Sequence, residues 1–347
     1  MKDINIRVNQ CAGRITLQRP NALNAITYEM CAAIEQALIA WREDDSVDLV
    51  IIDALGDKAF CAGGDIAKLY ETGKVGDFEF GQRFWADEYR LNYLISEYPK
   101  PYVALMQGFT MGGGVGISCH GSNRIVCESS QIAMPECGIG LVPDVGGSSI
   151  LAQAPGHIGA YLALTGQRMD ADDAIYVGFA DNFIAQNNWD KITQELEETG
   201  DVGILKSYYS PPKNGRLKSQ FDMINKFFDV PVLEDLVARL MDDESNFAQQ
   251  TLRLLCRNSP LSMACALHIN DQLRSSKAGL QEALNLEYRF TARSMEFGDF
   301  IEGIRAAIID KDHSPNWKHV ITGVPSNAIK QMLAPLEKRV LQYKGDW

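Results

Sequence analysis

No two of the eight cysteines are spaced C-x-x-C, and no two of the five histidines are spaced H-x-x-x-H. The usual ligand spacings of a zinc site are therefore missing, and no metal is expected. Basic residues are in the minority, 33 Lys and Arg against 45 Asp and Glu, for a net charge of -12. That balance excludes nucleic acid as the expected main partner, because phosphate backbones need a basic face. It leaves room for a phosphate-bearing small molecule, which a few local cations or helix N-termini can hold. No apolar run approaches the ~18 residues that cross a bilayer, so no membrane partner is expected. The G-x-G-x-x-G spacing of dinucleotide sites is absent. So is the G-x-S-x-G nucleophile elbow, since Gly116-Ile117-Ser118-Cys119-His120 lacks its last glycine. Cys119 and His120 are chain neighbours and poorly placed to face each other as a catalytic pair, so His120 reads as structural. The first ten residues are polar and strand-like, unlike a signal or transit segment. Scattered thiols without pairing fit a reducing compartment, with the cytoplasm as the expected location.

What is present fits a globular enzyme: 46% hydrophobic and 22% charged residues over 347 positions, enough for one large or two modest domains. Residues 4–8 and 14–17 read as an antiparallel strand pair around a polar turn. Thr27 is placed to cap a helix running to about Arg42, with Met30, Ile34, Leu38 and Trp41 on its apolar face. Residues 49–55 form a near-continuous apolar run, the pattern of a buried strand. A helix is expected over 78–98, stopped by Pro99 and Pro101, and a buried strand over 102–106. Residues 112–116 open a short helix, and 125–127 and 131–133 read as short strands. Alternating strands and helices point to an α/β fold with ligands at strand ends. From about Ala171 the signal is helical, with a charged, loop-like stretch over 186–232 and amphipathic helices over 233–310. No low-complexity segment or long linker divides the chain.

Three segments carry the chemistry. Ala59-Phe60-Cys61-Ala62-Gly63-Gly64-Asp65-Ile66 follows a buried strand with small residues that let a ligand approach the backbone. It reads equally as a tight turn with Asp65 capping the next helix. Gly108-Phe109-Thr110-Met111-Gly112-Gly113-Gly114-Val115-Gly116 sits at a strand-to-helix turn, where free N–H groups and the helix dipole favour developing negative charge. A purely structural glycine turn is the other reading. The third segment, from Met134 to Gly147, places Glu136 and Asp144 in apolar, glycine-rich surroundings, each after a proline. Such carboxylates have raised pKa values suited to acid–base work, but they can also be helix caps.

Taken together, these segments resemble the crotonase (enoyl-CoA hydratase/isomerase) superfamily. The resemblance runs nearly end to end. It begins at Leu17-Gln18-Arg19-Pro20-Asn21-Ala22-Leu23-Asn24-Ala25 and takes in Lys100-Pro101-Tyr102-Val103-Ala104-Leu105 as well as the three segments above. It ends in Glu302-Gly303-Ile304-Arg305-Ala306 and Asp310-Lys311-Asp312. The late segments, with Gly140-Leu141-Val142-Pro143-Asp144-Val145-Gly146-Gly147, are most similar to the family's thioester-hydrolase branch.

The resemblance implies a crotonase-like spiral of repeated ββα units with a helical C-terminal region. It implies a catalytic, acyl-CoA-binding core over 1–185 and a mainly helical region over 186–347 packed on it. It implies an oxyanion hole from the N–H groups of Gly64 and Gly113, and CoA contacts near Ala62, Asp65 and Ile66. Family hydratases carry two glutamates. Here the first position is Gly116, which has no acid or base, and the second is Glu136. Asp144 stands where hydratases often have a small residue, and Glu88 matches a substrate-contacting glutamate, although a solvated helix charge is its other reading. This pattern implies hydrolysis of a short 3-hydroxyacyl-CoA, 3-hydroxyisobutyryl-CoA first, as in valine degradation. Glu136 and Asp144 would be catalytic, and Glu88, Gly113, Glu136 and Asp144 would bind substrate. No cofactor is expected, coenzyme A being part of the substrate. A hydratase or isomerase, or a non-catalytic acyl-CoA-binding protein, stays open, as does a homo-oligomer.

Overall fold

The computed structural model describes residues 2–212, 215–337 and 340–343. Met1, Lys213 and Asn214 of the expected loop, and residues 338–339 and 344–347 of the expected C-terminal region lie outside the described residues. Strands β1 (Ile4–Asn9) and β2 (Ala12–Leu17) form the antiparallel pair that the alternation predicts. Helix α1 (Tyr28–Arg42) starts where the sequence places it, with Thr27 Oγ1 accepting the Met30 N–H at 3.2 Å.

The chain then winds through repeated strand–strand–helix turns. First come β3 (Leu49–Ala54) and β4 (Ala59–Cys61), followed by α2 (Ala67–Lys74) and α3 (Glu79–Ser96). Next are β5 (Tyr102–Met106), β6 (Phe109–Met111) and α4 (Gly113–Gly116). The third turn has β7 (Asn123–Val126), β8 (Gln131–Ala133), a 3-10 turn over Glu136–Ile139 and α5 (Gly147–Gln153). Helices α6 (Ile158–Thr165) and α7 (Ala171–Val177) lead to β9 (Asn182–Phe183).

The first strand of each turn joins a six-stranded sheet, ordered β1-β2-β3-β5-β7-β9. The second joins a three-stranded parallel sheet, ordered β4-β6-β8. This is an α/β spiral of ββα units. Sequence patterning finds only one strand of the small sheet, β8 at 131–133, and misses β4 and β6, which have three residues each, too few to show a period of two. The small sheet matters most for the site. Parallel strands side by side, about 4.8 Å apart, deliver their C-terminal ends to one edge. The chain leaves those three ends into Ala62-Gly63-Gly64, Gly112-Gly113 and Pro135-Glu136.

After β9 the structure is helical, as expected, although β9 itself is a strand inside the stretch read as helical from Ala171. Its partner β7 supplies the edge that makes two residues enough. The helices are α8 (Trp189–Thr199), α9 (Arg216–Ser219), α10 (Phe221–Phe228), α11 (Leu233–Met241) and α12 (Asn246–Leu255). Then follow α13 (Pro260–Ser276), α14 (Leu280–Ser294), α15 (Phe300–Ile304) and α16 (Ser326–Leu333). Helix α13 begins with a Ser259 cap and Pro260 at its first position, both favourable there. It packs on α5 and α6, while α14 packs on α3. One hydrophobic cluster runs through these elements and includes Ile15, Phe60, Tyr89, Leu151, Leu267, Phe290 and Phe300. Arg305 gathers Glu302, Asp310 and Asp312 within 2.6–2.7 Å, so the late motif is an ion-pair hub.

On the opposite side, Arg14 of β2 is buried and pairs with both Asp53 at the end of β3 and Glu197 of α8. A buried charge left without its partner is strongly destabilising. Arg14→Ala is therefore expected to lower unfolding free energy by about 3 kcal/mol in urea titrations, because Glu197 loses its counter-charge.

Candidate active site

Two backbone amides are presented at the edge of the small sheet. Ile26 forms a parallel bridge with Gly64: its N–H donates to Gly63 O at 2.9 Å and its carbonyl accepts Asp65 N–H at 2.8 Å. In a parallel bridge the flanking residues make the bonds, so the Gly64 N–H points the other way, toward α4. Gly113 is the first residue of α4, and its N–H has no carbonyl one turn back within the helix. The two turns touch. A Cβ on Gly113 would lie 3.4 Å from Gly64 N, and one on Gly114 would lie 2.2 Å from Cys61 O, so only glycine permits the approach. The family resemblance pairs Gly64 with Gly113, and the structure places the two turns side by side.

The carboxylates close around the same point. A Cβ on Gly113 would lie 3.0 Å from Glu88 Oε1, and one on Gly112 would lie 2.9 Å from Glu136 Oε1. Glu88, Glu136 and Asp144 are 3%, 5% and 4% exposed. The solvated reading of Glu88 is thereby corrected: it is on the face of α3 that packs inward. Glu136 Oε2 has no hydrogen-bond partner among the described residues. Asp144 Oδ2 accepts the Tyr89 hydroxyl at 2.8 Å.

The capping readings are corrected as well. Neither Glu136 nor Asp144 makes a side-chain cap, and α2 is preceded by Ile66 with no side-chain cap. Asp65 instead pairs with Arg19 at 2.8 Å. Ala62 donates its N–H to Leu23 O at 3.0 Å, so 62–65 is stitched to the loop before α1. A groove of about 290 Å³ beside this loop is lined by Thr27, Tyr28, Asp65, Lys68, Phe80 and Phe84.

The residue that does cap α5 is Glu287, from α14, about 140 positions away and not visible to sequence reasoning. Its Oε2 accepts Gly146 N–H at 2.8 Å, and its Oε1 accepts Ser148 N–H at 3.2 Å and the Ser148 hydroxyl. Between Asp144 and this clamp lies Val145, with φ +51. A β-branched residue in the left-handed region is strained and persists only when its neighbours hold it. One of them is His120, 2.7 Å from Val145 O through Nε2. Burial pushes His120 down to about 4, so it is neutral at pH 7 and donates Nε2–H to that carbonyl. The structural reading of His120 agrees with this geometry.

Burial is also the main influence on the acids. It pushes Glu88 and Glu136 well above the carboxylate range, with the nearby Asp144 charge adding to it. Asp144 is pushed up to about 7 by burial, against the opposing effect of the Tyr89 hydroxyl. Glu287 is pushed up to about 8 by burial, against its Ser148 hydrogen bonds. Among the described residues no group of three His, Cys, Asp or Glu is arranged to hold a metal ion. No helix there is long and apolar enough to cross a membrane.

The family described as enoyl-CoA hydratase/isomerase matches residues 12–333. The chain is 40% identical over 343 residues to a Danio rerio protein named 3-hydroxyisobutyryl-CoA hydrolase, mitochondrial, covering 95% of this chain and 89% of that one. The Homo sapiens protein of the same name is 38% identical over 328 residues, covering 91% and 84%. Among solved structures, one described as an enoyl-CoA hydratase from Rhodobacter sphaeroides 2.4.1 is 50% identical, with a TM-score of 0.93 and 98% and 99% coverage. One described as a carnitinyl-CoA dehydratase from Mycobacterium thermoresistibile is 34% identical, with a TM-score of 0.94 and 99% and 100% coverage.

The raised acids give a test that needs no substrate. A carboxyl whose folded pKa is raised binds its proton more tightly in the folded state. Its stabilising contribution is therefore full below the ordinary carboxylate range and is lost as pH rises. With Asp144 near 7 and Glu287 near 8, the melting temperature should fall between about pH 5 and about pH 8. Glu287→Gln should flatten the upper part of that fall in a pH series of thermal melts.

Proposed function

The chain belongs to the enoyl-CoA hydratase/isomerase family, and from that premise we propose that it hydrolyses the thioester of a short 3-hydroxyacyl-CoA, 3-hydroxyisobutyryl-CoA first. The observation that carries this reading is the pairing of two convergent backbone N–H groups, at Gly64 and Gly113, with a buried carboxylate, Glu136, beside the same turn. The amides donate hydrogen bonds to the thioester oxygen as it gains charge, commonly the largest single catalytic contribution. Glu136, whose Oε1 faces Gly112, attacks the carbonyl carbon. The CoA thiolate leaves and takes up a proton, and water then opens the acyl–Glu136 anhydride to give the free hydroxyacid. The alternative route has Glu136 draw a proton from water, which then attacks the carbonyl carbon. Asp144, oriented by Tyr89, holds the substrate hydroxyl, and Glu88 fixes the acyl group over Gly113.

The CoA moiety runs past Ala62, Asp65 and Ile66, where the groove over Tyr28 and Phe80 offers apolar walls and Lys68 offers a cation. No separate cofactor enters the reaction. All eight cysteines are free, which suits a reducing compartment, the cytoplasm in our reading, and a place in valine degradation follows from the proposed substrate.

One observation favours hydration of a double bond, the description of the Rhodobacter sphaeroides structure as an enoyl-CoA hydratase. Against it, Gly116 has no side chain and no room for one: a Cβ there would lie 2.6 Å from Asn92 Nδ2 and 2.9 Å from Val145 Cβ. A second carboxylate at that position would displace both.

A panel of acyl-CoA thioesters with thiol detection tests the reaction. Thiol release from 3-hydroxyisobutyryl-CoA is expected; conversion of crotonyl-CoA or a 3-enoyl-CoA without it would mean a hydratase or isomerase instead. Discrimination against 3-hydroxypropionyl-CoA should be modest, since one methyl is worth about 1–3 kcal/mol. Glu136→Gln should lower kcat by roughly 10²–10⁴-fold while leaving the fold intact. The acidic limb of the wild-type kcat/KM profile should lie above the ordinary carboxylate range, because burial raises the Glu136 carboxyl. In a single turnover in oxygen-18 water, label should enter the Glu136 carboxylate; label found only in the released acid would mean that water attacks directly.

A further inference from the structure

Helices α3 and α4 pass each other in register. Glu88 faces Gly113, and Asn92, one turn further along α3, faces Gly116, one turn further along α4. Asn92 is fully buried, and neither its Nδ2 nor its Oδ1 has a hydrogen-bond partner among the described residues. Its Nδ2 faces Gly116, where an added Cβ would lie 2.6 Å from that nitrogen and 2.9 Å from Val145 Cβ. Buried side-chain polar atoms are nearly always paired, and leaving both ends of a carboxamide bare destabilises a fold. An apolar residue of the same shape would serve packing better. An amide kept in such a place indicates a ligand group that completes it.

We propose that Asn92 is a specificity-determining residue whose carboxamide hydrogen-bonds the 3-hydroxyl of the bound acyl group, an assignment that rests on the thioester reading above. The dimensions agree. From Gly113 to Gly116 the helix rises about 4.5 Å. From the carbonyl carbon to the 3-hydroxyl there are two C–C bonds of about 1.5 Å each and one C–O bond. With the thioester oxygen on the Gly64 and Gly113 amides, an acyl chain laid along α4 brings the hydroxyl within hydrogen-bond reach of the level of Asn92. Val145, which touches the same Gly116 position, directly follows Asp144. The hydroxyl can then donate its proton to Asp144 and accept the Asn92 Nδ2–H, so both of its capacities are used. A substrate without the hydroxyl leaves Asn92 bare.

The test compares the wild type with Asn92→Leu and Asn92→Ala on two thioesters, 3-hydroxyisobutyryl-CoA and isobutyryl-CoA, read by thiol release, with a thermal melt of each protein. The expected result is a kcat/KM loss roughly 10- to 100-fold larger on the hydroxylated thioester than on its deoxy analogue. Asn92→Leu should melt at or above the wild-type temperature, because it removes two unpaired polar atoms without leaving a hole. Equal losses on the two thioesters, or a wild-type ratio between them, overturn the assignment. If leucine is not accommodated, the alanine variant supplies the same ratio. A wild type that releases thiol from neither thioester overturns the hydrolase reading itself, whereas an active wild type with an unmoved ratio overturns only the role of Asn92.

Discussion

The site depends on one backbone contact, between the turn that leaves β4 and the turn that leaves β6. Gly114 lies so close to Cys61 O that any side chain would collide with main chain, which cannot swing aside. That closeness brings the Gly64 and Gly113 amides, on separate elements, to one point. It also starts α4 at the same point, so the positive end of a short helix adds to the two N–H groups. Everything else is arranged around this junction: α3 lays Glu88 over Gly113, and β8 ends so that Glu136 reaches Gly112.

The junction creates an electrostatic problem that the C-terminal helices resolve. Three carboxyl groups with little access to water face one another, and burial together with mutual repulsion favours their protonated forms. A loop carrying one of them, Asp144, runs through a strained Val145. Left to itself, such a loop would relax. Glu287 fastens it on one side and His120 on the other, while Tyr89 orients the acid. Helix α14 is thus part of the machinery of the site, although it carries no group at the amides. The same helix buries Leu284, Phe290 and Thr291 against the core, so positioning and packing come from one face.

Much of this was legible in the chain. Thr27 as a cap, the buried strand at 102–106 and the short strand at 131–133 follow from capping chemistry and apolar runs, which act within a few residues. The pairing of the small sheet and its strands β4 and β6 were not legible, because three residues are too few to show a pattern and such strands exist only through their neighbours. Asp65, Glu136 and Asp144 could each be read as a cap, since a carboxylate near a helix start suits either purpose. The choice depended on what lay across from them: Arg19 for Asp65, the glycine turn for Glu136, and Tyr89 for Asp144.

By itself, the sequence determined that the chain is an α/β protein with glycine turns at strand ends and acids in apolar surroundings, because those features are written in residue type and local spacing. Its resemblance to a family pointed to Gly64, Gly113, Glu88, Glu136 and Asp144. Only the tertiary structure decided that Glu88 is buried, that Glu287 and not Asp144 caps α5, and that Asn92 fills the space above Gly116. These are contacts between residues 24 to 141 positions apart. Burial and pairing at such separations are properties of the packed chain, and no local pattern encodes them.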